Sequence, residues 1–156
     1  MAIRDATPAD IEAMVTLSEA FRQRLTTYSP TFWRKAEDSF ARQVTWFEIL
    51  LGLDDTIALV DDEEGSLRGF VIGRLTPAPP VYAPGGPGCL IDDFCVTSED
   101  DWPTVGRALL AEIEARSKQR GAGACIVICA HLDARKRAFL AQRDFAVTAE
   151  WHVRTL

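Results

Sequence analysis

Apolar positions along this chain change their spacing several times, and each change marks an element. Ile11, Met14, Leu17, Ala20, Phe21 and Leu25 recur every three or four residues, the spacing of one helix face. Thr7 and Pro8 precede them as N-cap and first helical residue, and Asp10 stands where a capping box carries its acid. A short strand over residues 2–6 opens the chain. After a break at 26–30, a second helix over 32–51 is predicted to turn Trp33, Phe40, Val44, Phe47 and Leu51 inward. Strands follow at 56–60 and 67–75, joined by Asp61-Asp62-Glu63-Glu64-Gly65-Ser66, which reads as a solvated hairpin turn without a function of its own. Residues 76–88 contain Pro77, Pro79, Pro80, Pro84, Pro87, Gly85 and Gly86, too many breakers for a tight hairpin, so they form a long loop.

The second half follows the same logic. Residues 89–96 are apolar, β-branched and aromatic, the signature of a buried strand, and they hold two adjacent carboxylates, Asp92 and Asp93. From Pro103 the period becomes helical through Val105, Leu109, Leu110, Ile113 and Ala115, to about residue 118. Gly and Ala in the first turn of that helix (Thr104-Val105-Gly106-Arg107-Ala108) let backbone N–H groups approach an anion, which the helix dipole also favours. Residues 124–130, ACIVICA, have the continuous apolar pattern of a strand covered on both faces. Asp133 caps a helix over 134–143, and Val147, Ala149, Trp151 and Val153 alternate along a last strand over 145–156. The order is βααβββαβαβ, an α/β (α+β) pattern, in one domain spanning 1–156 without internal repeats.

Composition narrows the field. Lys and Arg total 17 against 23 Asp and Glu, a formal charge of −6, which argues against nucleic acid as a partner and agrees with a cationic small substrate. No apolar run approaches the ~20 residues of a membrane span. The N-terminus, MAIRDATPAD, has no signal-peptide core, which points to the cytoplasm. Cys89, Cys95, Cys125 and Cys129 lie in apolar runs without metal-ligand spacing, so they read as small buried hydrophobes, and no metal is expected.

Residues 88–118 resemble the central motif of the GNAT superfamily of N-acetyltransferases, whose pyrophosphate loop reads Q/R-x-x-G-x-G/A. Pro103, Thr104, Val105, Gly106, Arg107 and Ala108 occupy those positions, with Pro103 where Gln or Arg is usual. The resemblance extends over most of the chain and implies a mixed sheet with helices on both faces. It implies acetyl-CoA as cosubstrate, with its pyrophosphate on Thr104, Val105, Gly106, Arg107 and Ala108. Its pantetheine would run along main-chain groups of Phe94, Cys95 and Val96. The segment IDDFCV is similar to the strand of glucosamine-6-phosphate N-acetyltransferases, where paired acids precede the final Val. By the same resemblance the first two helices wall the acceptor site, making Tyr28 and Trp33 candidate substrate contacts. Tyr82, in the middle of the long loop, is a third. Core or rim packing is the competing role for the first two.

The implied reaction is acetyl transfer to a primary amine of a small molecule. An alkylammonium with a pKa near ~10 must first lose a proton, and the thioester oxygen must be stabilised as it gains charge. Asp92 is the preferred base, through water, with Asp93 tuning or orienting it. Adjacent strand residues face opposite ways unless a bulge intervenes. A purely structural carboxylate pair is the competing reading. The last helix departs from the family: counting back from Phe145, Leu140 stands where the Tyr assigned to protonate the leaving thiolate is expected. A thiol pKa near ~8.5 lets the thiolate leave without strong acid help. His131 and Tyr82 are possible substitutes, with a structural role as the alternative for His131. Transfer to a peptide N-terminus or lysine, and a non-catalytic acyl-CoA-binding module, are rival readings. A short C-terminal strand leaves an open sheet edge, so a homodimer through residues 145–156, with Trp151 at its seam, is expected.

Overall fold

The computed structural model describes residues 2–156. Strand β1 (Ala2–Asp5) leads through a 3₁₀ turn (Pro8–Asp10) into helix α1 (Ile11–Tyr28), followed by α2 (Ser39–Leu51). Then come β2 (Thr56–Glu63), β3 (Ser66–Thr76), β4 (Gly88–Val96), α3 (Arg107–Gln119), β5 (Ala124–Val127) and α4 (Ala134–Ala141). The sheet order is β1-β2-β3-β4-β5, antiparallel except for the parallel β4–β5 pair. Among the described residues no helix is long and apolar enough to cross a membrane.

The capping box at the first helix forms as its sequence predicts. The Thr7 N–H and hydroxyl both donate to Asp10 Oδ2, at 2.7 and 2.8 Å. Arg4 forks onto the two oxygens of the same carboxylate at 2.8 Å each and also donates to Asp62 at 2.8 Å. This guanidinium, with the Thr7 donors, outweighs burial and holds the Asp10 carboxyl down at about 2.

Helices cover both sheet faces. Met14 and Val15 of α1 and Phe47 and Leu50 of α2 pack on Val60, Phe70, Ile72 and Cys95. On the other face, Leu109, Leu110 and Ile113 of α3 and Phe139 and Leu140 of α4 pack on Leu59, Val71, Ile91 and Phe94.

Several boundaries differ from those read in the sequence. Helix α2 starts at Ser39, and Phe40 faces solvent. The polar run 34–38 offers no apolar face, and the segment is instead tied to α1 by Lys35 and Ser39, both bonded to Glu19. The acidic hairpin run is only partly solvated. Asp61 and Asp62 belong to β2, and Asp61 is fully buried, accepting from Arg68 at 2.8 and 3.0 Å. The turn itself is Glu64-Gly65, both left-handed with φ of 54° and 82°, as a two-residue hairpin requires. Strand β5 ends at Val127 and is covered on one face only, since Ala124, Ile126 and Ile128 are exposed.

The closing strand expected over 145–156 is not formed. These residues join no ladder, and Val147, Trp151 and Val153 are exposed, Trp151 by 78 %. The alternation has an apolar side, but the segment pairs with no edge of the sheet.

The long loop stays a loop between Thr76 and Gly88, and its far end is stitched down. Gly86, at φ +156°, crosses the backbone of residues 121–123 so closely that a Cβ on it would lie 2.3 Å from the Gly121 oxygen. A Cβ on Gly123 would lie 2.8 Å from both the Pro84 oxygen and the Gly86 nitrogen. The Gly123 N–H donates to the Pro87 oxygen at 2.9 Å.

Candidate functional site

Strands β4 and β5 start side by side and then part. Their register runs from Gly88↔Ala124 to Ile91↔Val127, and the Ile128 N–H donates to the Ile91 oxygen at 2.9 Å as the last bond between them. Beyond it, residues 92–96 of β4 have β3 on one side and no strand on the other among the described residues. An edge of this kind offers a row of backbone donors and acceptors to an extended, amide-bearing ligand.

A bulge sits where the strands part. Ile72 pairs with Asp93 but Gly73 pairs with Ile91, so Asp92 is the extra residue. The bulge resets the alternation: Cys89 and Ile91 point into the α3–α4 core before it, and Phe94 and Val96 point there after it. Asp92 is therefore exposed rather than buried, while Asp93 turns toward α1 and α2 with Cys95. The Gln43 side-chain amide donates to Asp93 Oδ1 at 3.3 Å. Burial, with Asp92 next door, pushes the Asp93 carboxyl up to about 6, against the pull of Arg22, Lys136 and Gln43. The neighbouring Gln43 Oε1 and Arg22 Nε are buried and make no protein hydrogen bond, so the surroundings of Asp93 hold an acceptor and a donor still to be satisfied.

Facing the free edge from the other side is α4. Asp133 caps it, accepting from the Lys136 N–H at 3.0 Å. The Lys136 side chain is 0 % exposed. Its Nζ donates to the Phe94 oxygen at 3.1 Å, on the strand edge, and lies 5.4, 5.4 and 5.6 Å from the ring centres of Phe21, Phe94 and Trp102. Burial pushes the Cys95 thiol up to about 12 and the Cys129 thiol up to about 11, with Lys136 opposing both.

The segment 99–119 is helical throughout rather than a turn followed by a helix. A 3₁₀ turn (Glu99–Asp101) and a π turn (Trp102–Gly106) run straight into α3. Ser98 caps this run, and Glu99, Asp100 and Asp101 fill its first turn with carboxylates. Val105 and Gly106 are buried, Ala108 is half-buried, and Thr104 and Arg107 are exposed. The Arg107 N–H is taken by the Trp102 and Thr104 oxygens. Arg135 of α4 reaches Asp100, in the first turn of the helical run that leads into α3, at 3.9 Å. The residues present thus fit an acyl-CoA in two respects: an unpaired edge at 92–96 for its amide-bearing arm, and Arg107 and Arg135 for its phosphates.

The remaining candidates are spread out. Tyr28 ends α1, and burial, with Asp133 near, pushes its phenol up. Trp33 is half-buried with its ring edge-to-face on Phe32 at 5.2 Å. Tyr82 is 71 % exposed, and His131 is exposed, its carbonyl bonded by Arg137. Leu140 is buried in the core. Lys136, Gln43 and Arg22 were missed in the sequence. For Lys136 a signal existed: it lies one turn before Leu140, a lone cation on the apolar stripe of α4.

A depression at the other end of the sheet, lined by Asp5, Leu51, Thr56, Arg116 and Arg120, does not compete for this role. Arg116 is spent on Asp5 and Glu112, and Arg120 on the Thr56 and Asp54 carbonyls.

No family model matches the chain, and no curated protein matches it in sequence. Solved structures do. A mutant of the BH1408 protein of Bacillus halodurans superposes with a TM-score of 0.85 at 20 % identity, covering 100 % of this chain and 99 % of that one. A predicted acetyltransferase of Clostridium acetobutylicum, crystallised with acetyl-CoA, gives 0.74 at 16 % identity over 99 % and 95 %. The ribosomal-protein-alanine N-acetyltransferase of Brucella melitensis biovar Abortus 2308 gives 0.67 at 18 % identity over 100 % and 99 %. The chain has the fold of the GNAT superfamily of acetyltransferases.

Proposed function

We propose that the protein is an acetyl-CoA-dependent N-acetyltransferase that moves an acetyl group to a primary amine of a small molecule by direct attack. The observation that carries this reading is Asp93. It is a carboxyl raised to about 6, beside the unpaired edge of β4, with an unsatisfied donor and acceptor in its surroundings. A base poised near neutrality is what deprotonating an alkylammonium requires. The geometry thus favours Asp93 as base and leaves Asp92, exposed on the bulge, as the neighbouring charge that raises it. The arm of the acyl donor would pair with the edge from Asp93 to Val96, with its phosphates near Thr104, Arg107 and Arg135. The acceptor would enter between α1 and α2, beside Gln43 and Arg22.

Two observations favour a second reading, a non-catalytic acyl-CoA-binding module. Leu140 is buried in the core, and the helical run starts at Glu99, so the acids at 99–101 answer its dipole and Thr104 to Ala108 lie inside it rather than at its start. Titration with coenzyme A, followed by an acetyl-CoA turnover screen across amines, aminoglycosides, polyamines and peptides, separates the two. Turnover on a small amine supports the enzyme, turnover on peptides alone moves the acceptor class, and tight binding without turnover supports the module. A protein that binds neither coenzyme A nor acetyl-CoA overturns both.

A further inference from the structure

Lys136 is a buried cation that the proposed base chemistry does not use. No carboxylate pairs with it through a salt bridge among the described residues; a single backbone acceptor, the Phe94 oxygen, takes one of its three donors at 3.1 Å. The remaining charge lies among the Phe21, Phe94 and Trp102 rings. Burying an ammonium costs free energy that one hydrogen bond and three aromatic rings offset only in part. The ionisable groups around it are Asp93 and Cys95 on β4, Arg22 and Arg24 on α1, Tyr28 at the end of that helix, and Cys129 and Asp133 ahead of α4. The carboxyl groups among these are Asp93 and Asp133, and Asp133 is engaged in capping the helix.

We infer that the Lys136 ammonium holds the negative charge of the leaving thiolate. This rests on the acyl-transfer reading above. Nζ is buried against the Phe94 oxygen on that edge, so an acyl-CoA arm that pairs with the edge displaces this bond and brings the ammonium against the arm. In the step, the amine nitrogen bonds to the thioester carbon, and the carbon–sulfur bond breaks with its electron pair on sulfur. Asp93 first takes the ammonium proton and releases it to solvent, and then takes the second proton, which the nitrogen loses as the amide forms. The thiolate pairs with Lys136 until it takes a proton from solvent on release, and Asp93 returns its own to solvent. The role expected of a tyrosine at position 140 is thereby met by a cation one helical turn earlier on the same face.

The test needs no acceptor. Coenzyme A is bound to the intact protein, and the thiolate absorbance is followed with pH against the desulfo-coenzyme A complex, which cancels the four protein cysteines. A cation within contact range lowers a thiol pKa by about one to three units. The bound thiol is therefore expected to ionise that far below free coenzyme A in the wild type and in Lys136→Arg. In Lys136→Met it should return to the free value. Should Lys136→Met fail to fold, the wild-type titration still decides. A bound thiol that ionises like the free one overturns the role of Lys136 alone, whereas a wild type that does not bind coenzyme A overturns the acyl-transfer reading beneath it.

Discussion

Gly106 and Trp102 are in contact so close that a Cβ on Gly106 would stand 2.6 Å from Cε3 of the indole. The ring cannot retreat, because it meets Phe94 edge to face at 4.9 Å and lies tilted against Phe139 at 5.2 Å. Glycine is required here for packing, since the backbone is ordinarily helical with φ near −58°. Gly106→Ala is expected to lower stability by about 1–3 kcal/mol, the range of an overpacked core. Trp102→Leu should relieve that cost, and a double-mutant cycle by urea unfolding measures the coupling. Additive losses would show that the two residues do not press on each other. A side chain at Gly106 therefore disturbs the core and does not isolate anion binding.

Arg107 is the better probe, being exposed on the same turn. Arg107→Glu is expected to leave the unfolding midpoint unchanged and weaken coenzyme A about 10–100-fold, the value of a charge-assisted contact exchanged for repulsion. Calorimetric titration checks it. Unaltered affinity would move the phosphates away from α3.

Asp93 and Asp92 should separate cleanly. Asp93→Asn is expected to cut turnover by about 10²–10⁴ and to remove the acidic limb of the pH–rate profile, which in the wild type rises through about 6. Asp92→Asn should keep most activity and shift that limb to lower pH, since its charge helps raise Asp93.

The same carboxyl makes a stability prediction of defined sign. Its folded pKa is raised, so the native state binds more protons between the ordinary carboxylate range and about 6, and stability falls as pH rises through that window. Asp93→Asn should therefore gain about 1–3 kcal/mol at pH 8 and nothing at pH 3. An equal gain at both would assign the effect to packing.

Asp144 closes α4 with φ 62°, a left-handed position that glycine adopts without cost. The Phe145 N–H bonds back to the Leu140 oxygen at 3.1 Å, so this C-cap is formed. Asp144→Gly should raise stability by about 0.5–1 kcal/mol in thermal unfolding, and Asp144→Val should lower it.

The tail and the outer face of β5 are expected to meet in a homodimer. Val147, Trp151 and Val153 are bare, and Ile126 and Ile128 of the edge region are bare too. Light scattering of the intact chain should give twice the mass of a chain ending at Ala149. A monomeric intact protein at micromolar concentration would rule this out.

Periodicity made most elements legible, because each helix and strand has a neighbour that demands a matching apolar face. Thr7 with Asp10 and Asp133 with Lys136 were readable as caps since such bonds are local. The bulge at Asp92 was not, since a strand's extra residue is defined by its partner, here Ile72 and Gly73. Without it the exposures of Asp92 and Asp93 could not be assigned. Lys136 escaped for a related reason: its acceptor, the Phe94 oxygen, lies 42 positions away in sequence. The tail over 145–156 carries a strand pattern, but alternation does not name a partner strand, and these residues join no ladder.

The glycine crossing between Gly86 and residues 121–123 decides how the long loop can move. With Gly123 bonded to Pro87 and no room for even a methyl group at Gly86 or Gly123, the last stretch of the loop is fixed to the base of β5. Only residues 77–83 are left to swing, hinged at Thr76 on one side and at Pro84 on the other. Any large side chain placed at Gly86 would pry the start of β5 away from β4 and so widen, at a distance, the cleft that opens after Ile91. Hydrogen exchange should report this as two regimes, fast amides at Ala78 and Ala83 and a slow one at Gly123 where it bonds Pro87.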